Sequence, residues 1–481
     1  MSIKSIFKFV SAVGLVVFFL FLLPPLIGFF YDEDVFIYTL SMFALFIINL
    51  SIYLILKNDK MVLGIKESII SVNFIWILLG VGGAIPMVLY TSADPASAFF
   101  EAISGFTTTG ASIYGDVESL PKSILFHRSL MHWLGGIGII VLGVGLLPLI
   151  NPSGSLSLFK AESTGISMDK ITPKIKDTAT RIWAVYIIFT LLDFSLLWLF
   201  GMDGFDALNH AMSTISTGGF STKNSSIGYF DSEAIIWITT FFMIIAGINF
   251  LAHIRFFKGD KTCYNTEEVK WYLGLIVLLS FAMAIIHYNE SIDSFHDALM
   301  HSFFNITSLA TTTGFMSTDY ETWGQFALMI SILAMMMSAN SGSTAGGVKI
   351  IRYVLFFKNI ALEIKRSLQP DVITSIFIDD KQIRSSIINA IFGFFALYIL
   401  TLFLLFMYLY ARGFDFLTAF TASISMVGNI GPGLGEVGPT DNYSFFSWYD
   451  KLILSAAMII GRLECYTVFM MLSRTFWKRC F

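Results

Sequence analysis

Charge is scarce in this chain. Of 481 residues only 13% are Asp, Glu, Lys or Arg, about half the share in ordinary soluble domains, which excludes a typical water-soluble globular protein. A basic surplus is missing too. The 30 Lys and Arg are outnumbered by 34 Asp and Glu, so nothing is left over to neutralise phosphates, and nucleic-acid binding is excluded. Cysteine is almost absent: Cys263, Cys465 and Cys480 make no CxxC or metal-ligand spacing, and their odd number argues against a disulfide framework. The seven His are scattered without an HExxH pattern, which speaks against a metal site. What is present is apolar. Hydrophobic residues make up 56%, with 49 Phe and a mean hydropathy of +0.74. That is too apolar for a disordered chain and fits a polytopic membrane protein whose spans each need about 20 apolar residues.

Apolar runs near 6–30, 35–56, 69–90, 123–149, 182–201, 234–257, 271–287, 323–357, 386–410 and 447–473 predict about ten spanning helices. The first run reads as an anchor. It is longer than a signal-peptide core, carries Pro24-Pro25 in place of a small-residue cleavage site, and is followed at once by another span. Shorter segments near 95–106, 205–215, 296–310 and 415–427 are too short and polar to cross, and read as half-inserted helices. If the N-terminus is cytoplasmic, 24 of the 30 Lys and Arg fall on that side, as the positive-inside rule demands. The outer side keeps Lys122, Arg128, Lys223, Arg412 and Lys451, while Arg462 lies within the last span. Both termini are then cytoplasmic. All four half-inserted segments share the outer side with Asp32, Asp94, Asp116, Asp203, Asp231, Asp293, Asp319 and Asp441, an acidic set that would concentrate cations at a pore mouth.

The short segments resemble one another. Aligned on Ser104, Ser213, Ser308 and Ser425, each has a Gly six residues on: Gly110, Gly219, Gly314 and Gly431. These glycines are 109, 95 and 117 residues apart, room for a descending helix, a cytoplasmic link and an ascending helix. Four tandem units of helix, pore helix, filter loop and helix imply a pseudo-fourfold arrangement about an axis. Loop backbone at membrane depth must line water or be buried in protein. Converging loops would offer rings of carbonyls that replace a monovalent cation's hydration shell, with Gly supplying the unusual φ and the helix carboxyl ends adding negative dipole. For a single copy, Thr-Thr-Gly is simply a glycine helix cap; four copies in register weigh against that alone.

The eighth run is interrupted by the small-residue stretch 338–349, where a helix would break. Val348 separates Gly347 from Lys349, so it is not a phosphate loop. Small flexible residues below the filter suit a plug that moves aside; a glycine-packed kink is the alternative. Arg462 costs at least a few kcal/mol inside a membrane unless it meets partners or water. It reads as facing the axis, as paired with Glu464 or loop carbonyls, or as both. Asp193 and Glu101 are embedded acids, either proton relays or hydrogen-bonding structural groups. Gly135, Gly136, Gly138, Gly143 and Gly145 stripe one span and permit close helix packing. The links 157–181, 255–270 and 358–384 read as solvated loops by default.

The stretches SGFTTTGAS (104–112), STISTGGFST (213–222), TSLATTTGF (307–315), GNIGPGLG (428–435), SANSGSTAGGVKIIR (338–352) and GRLECYT (461–467) resemble the membrane subunit of the Trk/Ktr/HKT superfamily of potassium transporters. The two helices ahead of the first repeat match its TrkH branch, and the likeness covers nearly the whole chain. It implies an all-α polytopic fold: a two-helix extension (1–66), then repeats at 67–160, 161–265, 266–360 with the 338–349 loop, and 361–481. It also implies a bacterial inner-membrane location, a homodimer, and a cytoplasmic TrkA-type nucleotide-binding ring seated on the links. No bound cofactor is implied; potassium is the transported ion. Carried over, the ion-binding positions are Thr107 and Thr108, Ser216 and Thr217, Thr311 and Thr312, and Gly428 and Asn429, with Gly110, Gly219, Gly314 and Gly431 as filter glycines. The gate is assigned to Gly342, Ser343, Thr344, Ala345, Gly346, Gly347 and Lys349, with Arg462 repelling cations beside it. The fourth loop departs most from the others. The expected function is gated potassium uptake through a K+/Rb+-selective pore; the alternative is a symporter coupling K+ to H+ or Na+. Carriers usually place inverted repeats around midplane sites, whereas these loops share one side. No convergent His, Asp or Glu cluster marks an enzyme.

Overall fold

The computed structural model describes residues 2–59, 63–145, 175–291, 294–370 and 375–478. Asp293, Cys480, most of the expected link 157–181 and the expected boundary at 160 fall outside them. The described residues are overwhelmingly helical, with one short antiparallel ladder of Phe377–Ile378 against Lys381–Gln382.

Among the described residues six helices have the length and apolarity to cross a membrane: Ile3–Phe30, Phe36–Ile55, Lys66–Thr91, Thr178–Leu199, Glu267–Asn289 and Ser385–Ala411. They are apolar nearly all round. Phe36–Ile55, for instance, buries only Tyr38, Met42 and Asn49 and leaves Phe43, Ile48 and Ile55 exposed, a face suited to lipid. After two N-terminal helical spans, one order of elements recurs four times: a long helix, a short one, then a third that is continuous or broken. These are Ile65–Thr91, Pro95–Phe106 and Lys122–Gly145; then Ile175–Leu199, Gly204–Ile215 and Glu233–Ala246 with Phe250–Phe257. Next come Glu267–Ser291, Phe295–Ala310 and Gln325–Met336 with Ile350–Leu368; last are Ser385–Ala411, Phe416–Gly428 and Trp448–Arg462 with Tyr466–Leu472.

The short helices differ in kind from the long ones, because nearly every residue in their last two turns is buried. Three start on an Asp cap. Asp94 accepts from the Ala96 and Ser97 amides, Asp203 from Phe205, and Asp415 from Leu417 and Thr418. A carboxylate there satisfies amides that no helical carbonyl can reach and complements the positive end of the helix dipole.

Two runs expected as single spans are sharply bent instead, by 97° between Glu233–Ala246 and Phe250–Phe257 and by 113° between Trp448–Arg462 and Tyr466–Leu472. At the first bend Gly247 closes one helix and Asn249 caps the next, accepting from Leu251 at 2.8 Å. At the second, Glu464 and Cys465 take left-handed φ of 57° and 58°. Hydropathy misses such breaks because Ile248, Leu463 and Cys465 are themselves apolar. Counting each bent pair as one span gives eight. The two remaining expected spans are Lys122–Gly145, which carries His127, Arg128 and His132, and the helix interrupted after Met336. The glycine stripe permits close packing at Gly135 and Gly136, where a β-carbon would lie 1.9 Å from the Phe106 oxygen and 2.7 Å from Ser216 Cβ, but nothing lies within 4 Å of one at Gly138. The surroundings of Gly143 and Gly145 are outside the description.

Candidate functional site

Each short helix ends in the same way. The carbonyls of Ser104, Ser213, Ser308 and Ser425 accept the amides of Thr109, Gly218, Thr313 and Ile430, at 2.9, 2.8, 2.8 and 3.0 Å. This closure requires a left-handed residue just before the donor. Thr108, Thr217, Thr312 and Asn429 supply it, with φ of 51°, 53°, 55° and 56°. Asn429 therefore occupies the place that Thr takes in the other loops, and Gly428 stands where Thr107, Ser216 and Thr311 stand. Those three return their hydroxyls to the carbonyls four residues back, at 2.7, 2.8 and 2.7 Å. All eight residues are buried.

Two residues past each left-handed position comes the aligned glycine, again at positive φ: 84° at Gly110, 86° at Gly219, 81° at Gly314 and 102° at Gly431. Their surroundings close a circle. A β-carbon on Gly110 would lie 2.3 Å from the Gly218 oxygen, one on Gly219 2.0 Å from the Thr313 oxygen, one on Gly314 2.3 Å from the Ile430 oxygen, and one on Gly431 2.5 Å from the Thr109 oxygen. Each contact is to backbone, so no side chain can swing away to admit a larger residue. The loops thus meet in the order first, second, third, fourth, first. All four glycines line one open cavity, together with Arg128, Lys223 and Asp441. At its rim the Asn224 amide donates to Asp116 at 3.0 Å and holds that carboxyl below the ordinary carboxylate range.

On the opposite side of this circle lies the break 337–349. Its Gly346 amide donates to Thr312 Oγ1 at 2.7 Å, and Thr344 Oγ1 donates to the Ile215 oxygen at 3.1 Å. A β-carbon on Gly346 would come within 2.6 Å of the Gly428 oxygen. Gly342 and Gly347 turn the chain with φ of 73° and 62°, and Ala345 is buried. Lys349 folds back onto the segment, its Nζ 2.5 Å from the Ala345 oxygen and 3.4 Å from Ser343 Oγ. Arg462 donates to the Thr344 oxygen at 3.0 Å and to Gly135 at 3.4 Å. Its partners are thus one carbonyl of the break and one of the helix Lys122–Gly145, and the considered pairing with Glu464 is not formed: Glu464 takes Arg352 instead, at 2.8 Å.

Several residues that hold this arrangement carried no obvious signal. Glu268 accepts the Ser341 amide at 2.6 Å, and the bend at 247–249 binds the break through its backbone, Asn340 N to Gly247 O at 2.9 Å and Phe250 N to Gly342 O at 3.0 Å. The Gly-Ile-Asn sequence of that bend, a helix stop followed by a cap residue, was the available clue. Of the two embedded acids, Glu101 pairs with Arg128 at 2.8 Å. Asp193 is buried, with both carboxylate oxygens lacking a hydrogen-bond partner among the described residues.

Known proteins share this chain over nearly its full length. The model of a family described as TrkH, cation transport protein, matches residues 36–478. The chain belongs to the TrkH family. Among its TrkH relatives is the Trk system potassium uptake protein TrkH of Salmonella typhimurium, 36% identical over 428 residues and 88% of each chain. The protein of the same name from Vibrio parahaemolyticus is 33% identical over 99% of this chain and all of that one. The crystal structure of the potassium transporter TrkH from Vibrio parahaemolyticus superposes with a TM-score of 0.91 at 32% identity, covering 99% of this chain and 100% of that chain.

Proposed function

We propose that this chain carries potassium into the cell through a gated, K+/Rb+-selective pore. The four repeats surround its axis, and the circle of loops at Gly110, Gly219, Gly314 and Gly431 is its filter. The observation that carries this reading is that circle: four equivalent backbone turns, each glycine seated against the next loop's carbonyl. Peptide oxygens so arranged stand in for the water an ion sheds, and φ between 81° and 102° leaves glycine as the one residue that adopts the turn without strain. The hydroxyls of Thr107, Ser216 and Thr311 are fixed as donors to their own helices, and the main-chain carbonyls around Thr107–Thr108, Ser216–Thr217, Thr311–Thr312 and Gly428–Asn429 are the principal ligands in this reading. The relatives named as potassium uptake proteins support the choice of ion.

The break 337–349 acts as the gate. It rests against the inner end of the filter, and Arg462 contributes a guanidinium beside it that raises the barrier to cations. The basic links lie on the cytoplasmic side of a bacterial inner membrane, with both termini there. The name of the relatives' system implies further components, and a cytoplasmic nucleotide-binding ring of the TrkA type, acting on a homodimer of this chain, is the regulator that fits. Symport is the weaker reading, since the loops share one side of the chain's repeat and are not paired by inversion.

The test is flux from liposomes holding the purified protein. Potassium and rubidium should pass, sodium and lithium little. Gly219→Ser should lower potassium preference over sodium by roughly five- to thirtyfold, since a side chain in left-handed backbone costs about 1–2 kcal/mol and each 1.4 kcal/mol is a factor of about ten. Equal passage of all four ions by the parent protein contradicts the reading.

A further inference from the structure

Arg128 sits where topology counting puts an outer-loop cation, yet it is 2% exposed. Its Nε donates to Glu101 Oε1 at 2.8 Å, one terminal nitrogen to the Ser221 oxygen at 3.2 Å and the other to Ser112 Oγ at 3.1 Å. The guanidinium lies 4.0 Å from the Phe220 ring centre and 5.8 Å from that of Tyr114. Ser112 and Tyr114 follow the first filter glycine; Phe220 and Ser221 follow the second. One side chain therefore spans the exits of two adjacent filter loops.

Glu101 completes the brace from the first short helix. Its Oε2 accepts the Ile113 amide at 2.8 Å and its Oε1 accepts Ser112 Oγ at 3.1 Å. One helical turn below Arg128, on the same helix face, His132 links the same two units. Its Nδ1 meets the Gly105 oxygen at 2.7 Å, its Nε2 accepts the Phe220 amide at 3.2 Å, and its ring stacks on Phe220 at 4.0 Å. The other junctions are held differently. The second and third loops join through Ser226 Oγ to the Met316 amide at 3.2 Å, the third and fourth through Glu321 to the Gly435 amide at 2.7 Å, and the fourth and first through the Tyr443 amide to the Ser112 oxygen at 2.8 Å.

We propose that Arg128 is a positioning residue for ion selection: its planar fork fixes the spacing of the first and second filter loops, while Glu101 cancels its charge so that the cation pathway beside it is not opposed. This rests on the filter reading above. Spacing needs the fork, because three fixed directions and a flat stacking face belong to a guanidinium and not to an ammonium. Cancellation needs the carboxylate, because a lone buried cation near the path repels the ion in a medium of low dielectric. The two parts separate by substitution.

The measurement is the bi-ionic K+/Na+ reversal potential and the unitary K+ conductance of the reconstituted full chain. Arg128→Lys keeps the charge and loses the fork; it should lower the K+/Na+ permeability ratio at least threefold with conductance nearly kept. Glu101→Gln keeps an acceptor for Ile113 and uncovers the charge; it should lower conductance at least threefold with a smaller change in ratio. A purely structural role predicts less folded protein for both but parental ratio and conductance in what folds, and that result overturns the proposal. Should Arg128→Lys fail to fold, Ser112→Ala removes one cross-loop acceptor and should lower the ratio about twofold; an unchanged ratio overturns the proposal equally. A parental protein that does not prefer potassium refutes the filter reading instead, so the two failures are told apart.

Discussion

The third helices of the second and third units both break, but the breaks are built on different terms. At 247–249 the chain caps its own helix ends: the Gly247 amide bonds Met243 at 3.0 Å, the Ile248 amide bonds Ile245 at 3.0 Å, and the Asn249 side chain starts the next helix. At 337–349 some bonds are internal, such as the Ser343 amide to Asn340 at 3.2 Å and Lys349 to Ala345, but many partners come from elsewhere, namely Gly247, Glu268, Ile215, Thr312 and Arg462. A self-capped bend has one geometry. A segment held by borrowed partners moves when those partners change, which is why we propose the longer break as the gate and the shorter bend as its seat.

That contrast can be broken most strongly by making the two breaks alike. Deleting Ala339–Gly346 leaves a short bend in the third unit, and potassium leak without any cytoplasmic partner should rise at least about tenfold, equivalent to about 1.4 kcal/mol in the gate equilibrium; liposome flux measures it. Thr312→Val acts on one tether. It leaves the Gly346 amide without its acceptor, a loss of about 1 kcal/mol or more, and leak should rise roughly fivefold in the same assay. The smallest effect is expected from Asn249→Ala. Loss of that cap costs about 1 kcal/mol of stability, seen as earlier thermal unfolding in detergent, with leak unchanged. A rise in leak equal to that of Thr312→Val would erase the distinction between seat and plug.

The loops after the short helices were more legible in the sequence than their supports. The short helices fall within about a residue of their expected bounds, because a left-handed glycine and a helix end demand particular residues. The fourth loop was harder, since its Gly428-Asn429 shares no side-chain chemistry with Thr-Thr. What it shares is backbone: Asn tolerates left-handed φ better than most residues, and a search for hydroxyls does not see that. A topology count assigns Arg128 a side and not a depth, and its burial comes from Phe220 and Glu101, distant in sequence. The bends at 247–249 and 463–465 vanished within apolar runs, whereas the break at 337–349 was legible since so many small residues in succession leave no apolar face.

The most direct test of the central claim is the reversal potential of single reconstituted proteins under opposed gradients of potassium and protons, with sodium present equally on both sides. A circle of carbonyls that passes dehydrated potassium predicts a potential that follows the potassium gradient, is indifferent to pH, and moves toward zero in Gly219→Ser. A potential that tracks the proton gradient, or that the glycine substitution leaves in place, contradicts the account.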